Sequence, residues 1–107
     1  MVSLPHPVKN ALFATRLKSA RERLQISQME LGVLAGIDEF SASARINQYE
    51  RGKHTPDFGT ATALARVLAV PVAYLYCDDD LLAELIALYG NKTATQRKAL
   101  LQYTKSL

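Results

Sequence analysis

The 107-residue chain holds one cysteine, no tryptophan, four prolines and five glycines. A lone Cys77 excludes an internal disulfide and any CxxC metal site, and it fits a reducing, cytosolic (cytoplasmic) setting. Long apolar runs are missing too. The longest, Val67 to Cys77, spans 11 residues and contains Pro71. A membrane span needs roughly 20, so no membrane association is expected. No charged segment followed by an apolar one opens the chain, so no secretory signal is expected. His6 and His54 lie far apart and outside any HExxH pattern, which leaves no metal or cofactor expectation. Ser, His and Asp occur without a nucleophile elbow or other catalytic spacing, so the chain does not read as an enzyme. Charge of one sign is in only slight excess: 13 Lys and Arg against 10 Asp and Glu, a net +3.

What the chain has is globular composition, 49% hydrophobic and 21% charged, with helical periodicity almost throughout. Phe13, Leu17, Ala20 and Leu24 form one face of a first helix that starts between Pro7 and Ala11. Ser27 and Glu30 form an S-x-x-E capping box, flanked by the apolar staple pair Ile26 and Leu31. This predicts a short second helix from Gln28 to about Ala35, ended by Gly36. Ile37 to Ser41 reads as a connection, with Phe40 in the core. A third helix follows from Ala42 or Ser43 to Arg51, with Ile46 and Tyr49 inward and Gly52 as its stop. Asp57 caps a fourth helix whose buried stripe is Phe58, Ala61, Leu64, Ala65 and Leu68. Pro71 opens a fifth. One aspartate of Asp78-Asp79-Asp80 caps a sixth, with Leu81, Leu82, Leu85, Ile86 and Tyr89 as its apolar face. The box Thr93-x-x-Gln96 opens a last helix from about Ala94 to Lys105. The expected fold class is all-α.

Three ordered motifs sharpen this outline. They are Ile26-Ser27-Gln28-Met29-Glu30-Leu31-Gly32-Val33-Leu34-Ala35-Gly36, then Ile46-Asn47-Gln48-Tyr49-Glu50-Arg51-Gly52-Lys53, then Thr55-Pro56. Together with Ala63 to Val70 they resemble the Xre/Cro-like, phage lambda repressor-like helix-turn-helix family. The resemblance implies a five-helix domain over residues 1–76 that binds double-stranded DNA with its third helix in the major groove. It further implies DNA-contact roles for Gln28, Ser43, Ala44, Arg45, Asn47, Gln48, Arg51 and Lys53. Ser43, Ala44 and Gln48 match base-reading positions. Arg45 is suited to a guanine edge or a phosphate, and Asn47 is a secondary candidate. Gln28, Arg51 and Lys53 match phosphate contacts, with the Gln28 amide at a helix start aimed at the anion. Arg21 and Glu50 match a structural ion pair that ties the first helix to the third. One feature departs from the family. Tyr49 stands 13 positions after Gly36, about four more than the family pattern. The surplus falls within Ile37 to Ala42 and bears most on the roles of Ser43 and Ala44.

Residues 77–107 lie outside the resemblance. They hold four basic and four acidic residues, while residues 1–76 hold nine and six, so the whole net charge sits in the first part. Neutrality and leucine-rich faces predict a helical pair that dimerises the chain, which suits a homodimer reading two half-sites about 34 Å apart. The resulting expectation is a repressor-like transcriptional regulator. The alternative is an antitoxin-like or adaptor protein-interaction module on the same fold, which an exposed Phe40 in an apolar patch would favour.

Overall fold

The computed structural model describes residues 11–107. They form six α-helices and one 3-10 helix, and no strand occurs among the described residues. In order these are α1 (Ala11–Leu24), α2 (Gln28–Leu34), α3 (Glu39–Glu50), α4 (Phe58–Leu68), the 3-10 helix (Val72–Tyr76), α5 (Asp80–Gly90) and α6 (Ala94–Lys105). The all-α expectation is met. The place of Pro7 at the start of the first helix lies outside the described residues.

The cap signals do what their chemistry requires. The Ser27 hydroxyl accepts from the Glu30 amide at 3.0 Å, and the Glu30 carboxylate accepts from the Ser27 amide at 3.1 Å. Thr93 and Gln96 repeat the exchange at the start of α6. Asp57 caps α4 and Asp79 caps α5, each through a carboxylate that accepts from a first-turn amide. Gly36 lies at φ +95° after α2, a conformation in which any Cβ is strained.

The core is built by inward faces of α1, α2, α3 and α4, closed by the 3-10 helix. Leu17, Leu31, Ile46, Leu64 and Leu75 are its largest fully buried side chains. Burying each from water is worth roughly 1.5–3 kcal/mol. Arg16 is also buried. Its Nε donates to the Cys77 carbonyl at 2.9 Å and its Nη2 to Asp80 at 3.0 Å, which ties α1 to the start of α5.

Four sequence expectations are corrected. The third helix begins at Glu39, three to four residues earlier than expected. Asp38 makes this possible, because its carboxylate accepts from the Phe40 amide at 3.1 Å and caps the helix. The surplus residues therefore form an extra first turn of α3, and Phe40 stands outside the core at 95% exposure. Phe58, the first residue of α4, is likewise exposed, while Ala61, Leu64, Ala65 and Leu68 of the expected stripe are buried. The fifth helix is a 3-10 helix, with the Tyr74 amide donating to the Pro71 carbonyl at 2.9 Å. Beyond these four, the apolar face expected for α5 is present on one side, where Leu82, Leu85, Ile86 and Tyr89 line a groove, while Ala83 and Ala87 are the residues buried toward the 3-10 helix.

Candidate nucleic-acid interface

The α2–α3 unit is held by one carboxylate. Glu50, whose side chain is 3% exposed, accepts from Arg21 Nε and Nη2, the latter at 2.9 Å. Its Oε1 also accepts from Gln28 Nε2 at 3.1 Å. Arg21 donates a third bond to the Ile26 carbonyl at 2.9 Å. Glu50 thus joins α1, α2 and α3, and its hydrogen bonds raise the pKa of Arg21 above the usual guanidinium value. The ion pair expected from the sequence is present, and it is doubly hydrogen-bonded.

Gln28 is redirected by this arrangement. Its amide nitrogen also donates to Asn47 Oδ1 at 3.3 Å, so both of its hydrogens point into the protein. The side chain that the resemblance assigns to a phosphate is engaged here with Asn47 and Glu50 of α3. Glu50 was legible as a partner of Arg21. Its bond to Gln28 was not, since the resemblance that pairs Arg21 with Glu50 assigns Gln28 to a phosphate.

The outward side of α3 carries most of the other candidates. Ser43, Ala44 and Gln48 are exposed and Asn47 is half-buried. At about 100° per residue, Phe40, Ser43, Ala44 and Asn47 follow i, i+3, i+4, i+7 and share one stripe, with Gln48 at its edge. The residues behind it, Ala42, Ile46 and Tyr49, are buried. Arg45 is exposed but lies roughly 160° around the helix from Ser43, so the two do not face the same base edges. Arg51 and Lys53 are exposed at the exit of α3, where the Lys53 amide donates to the Gln48 carbonyl at 3.0 Å. The eight candidates are therefore distributed as an exposed stripe on α3, a basic exit, Arg45 on a flank and Gln28 on α2 bonded to Asn47. Glu39 lines a recess with Met29, Val33 and Leu34 of α2 and stands one turn before Ser43, at the α2 edge of the stripe.

A second surface lies at the far end of the chain. Leu82, Leu85 and Tyr89 of α5 face Leu100 and Leu101 of α6 across an apolar groove of about 380 Å³. The corner between these helices is fixed by Arg97. Its Nε donates to the Tyr89 carbonyl and its Nη2 to the Gly90 carbonyl, both at 3.1 Å, with the guanidinium 4.6 Å from the Tyr89 ring centre. No residue of α6 is buried.

Among the described residues no helix is long and apolar enough to cross a membrane. A search of curated proteins returned no match. Among solved structures, the crystal structure of the transcriptional regulator BswR is similar, with 53% identity and a TM-score of 0.81. The similarity covers 88% of this chain and 93% of that one. A family model described as a helix-turn-helix domain matches residues 12–75. That span takes in α2, α3 and the glutamate that locks them together, and with it the chain belongs to the helix-turn-helix domain family.

Proposed function

We propose that this chain is a sequence-specific double-stranded DNA-binding transcriptional regulator, repressor-like and cytoplasmic, that acts as a homodimer. The observation that carries the reading is the polar stripe of α3 beside the basic exit of Arg51 and Lys53, presented on a locked helix-turn-helix unit. An α-helix fits the major groove of B-DNA, where each base pair shows its own donor and acceptor pattern. Ser43, Ala44, Asn47 and Gln48 meet base edges in this reading. Arg45, Arg51 and Lys53 meet phosphates, and Gln28 sets the pose of Asn47. Residues 1–76 form the reading domain. The exposed leucines of α5 and α6, residues 77–107, cover one another in a second copy and place two reading helices on successive half-sites. The regulator BswR, more than half identical, supports the assignment.

Selection from a pool of random duplexes tests it. Enrichment of a two-fold symmetric site, with affinity falling steeply as salt rises, is the expected result. No enriched sequence, or salt-insensitive binding, removes the reading. A protein-interaction module is the second reading. It is favoured by the exposed Met29, Val33 and Leu34 on α2, and it gains if the selection fails.

A further inference from the structure

We propose that Phe40 is a specificity residue that reads the C5-methyl group of a thymine in the major groove. The inference rests on the DNA-binding reading above and adds a residue that motif matching did not supply.

Three observations meet at this side chain. Phe40 is 95% exposed, the most exposed of the large hydrophobic residues described. It stands in the extra first turn of α3, the turn created by the surplus residues between α2 and the rest of the reading helix. It also sits four residues before Ala44 and seven before Asn47, in the middle of the exposed stripe, and does not lie on the α2 side where Met29, Val33, Leu34 and Glu39 gather. A helix that lays this stripe in the groove carries the phenyl ring in with it.

The chemistry then selects the partner. Four residues of helix advance about 6 Å along the axis, close to two base-pair steps of about 3.4 Å. Phe40 therefore faces base pairs beyond those opposite Ala44. A phenyl ring neither donates nor accepts a conventional hydrogen bond. Against the polar edges of guanine, cytosine or adenine it strips water and returns nothing. Thymine alone presents an apolar group in the major groove, its C5-methyl. The Asp38 carboxylate is engaged as the helix cap, and Glu39 lies about 100° around the helix from Phe40.

The test uses the full-length protein and the best duplex from the random pool, with each thymine replaced in turn by uracil, which lacks only the methyl group. The wild-type protein is expected to lose about fourfold in affinity at one thymine per half-site, the worth of one methyl group removed from water. Phe40→Ala is expected to bind the thymine duplex at least fourfold more weakly and to show no uracil effect at that position. Phe40→Leu, which keeps an apolar side chain, is expected to retain the uracil effect. Unchanged helical circular dichroism confirms that each variant is folded, as the exposure of Phe40 leads one to expect. A wild-type protein indifferent to uracil everywhere overturns the inference, as does a uracil effect that persists undiminished in Phe40→Ala. Either result leaves DNA binding itself standing. Failure to enrich any duplex instead removes DNA binding, and the Phe40 role with it.

Discussion

Gly32 of α2 and Ala42 of α3 lie so close that a methyl group on Gly32 would stand 2.7 Å from the Ala42 Cβ and 3.0 Å from its Cα. The two helices meet there almost backbone to backbone. Two effects compete in Gly32→Ala. Intrinsic helix propensity favours alanine by about 1 kcal/mol. Overpacking costs about 1–3 kcal/mol, and here the atoms in the way are a backbone and a methyl group that cannot rotate aside. The steric effect should win, with a net loss of roughly 1 kcal/mol in urea unfolding and weaker DNA binding as α3 shifts. A variant more stable than wild type would show that the contact yields more easily than its geometry implies.

Gln48 and Lys53 separate base reading from phosphate binding. Gln48→Ala should relax preference at one or two base positions, at a cost of about 1–3 kcal/mol for the preferred base. Lys53→Ala should weaken all sequences about equally and lower the salt slope by about one. Gel-shift titrations on a panel of single-base variants at several salt concentrations distinguish the two patterns. Identical profiles for both substitutions would contradict the division.

The leucines between α5 and α6 should govern assembly. Leu85→Asp combined with Leu101→Asp places two carboxylates where the proposed second copy would bury them, an arrangement that costs several kcal/mol per charge. Sedimentation should show a dimer in the wild type and a monomer in the double variant, with far-ultraviolet circular dichroism preserved because both positions are exposed. A wild-type monomer at micromolar concentration would argue that this groove serves something other than self-association.

Acid should release the cap of α4. The Thr60 amide donates to Asp57 Oδ1 at 2.8 Å, and this bond holds the carboxyl below its ordinary value of 3.8. A group whose pKa is lowered in the folded state stabilises the fold above its unfolded value. That contribution is lost as pH falls through the lowered value. Asp57→Asn keeps an acceptor but removes the charge, so the variant should lose less stability than wild type on acidification below about pH 4. Parallel thermal melts across the acid range provide the comparison, and identical slopes would show that the charge at Asp57 does not matter.

Much of the fold was readable because its signals are local. Both capping boxes, the Gly36 stop and the Asp57 cap depend on residues within four positions of one another. The start of α3 was misplaced because Asp38 was read as part of the connection Ile37 to Ser41, when its carboxylate was available as a cap. The leucine stripe of α5 followed the right period, but that the opposite side with Ala83 and Ala87 packs on the domain was not readable. Periodicity marks an apolar side without saying whether the neighbouring 3-10 helix takes leucines or alanines. Gln28 was placed correctly on α2, while its bonds to Asn47 and Glu50 needed the tertiary fold to appear.

The shared carboxylate of Glu50 has an evolutionary corollary. Arg21, Gln28 and Glu50 lie on three different helices yet answer to one set of lone pairs. Losing the acceptor strands two donors at once, whereas losing either donor leaves the other satisfied. Substitutions at the three sites should therefore be epistatic, with combined effects unlike the sum of the single ones. Lineages of this chain should change these positions together or leave them alone, while exposed Ser43, Ala44 and Gln48 beside them stay free to diverge one residue at a time.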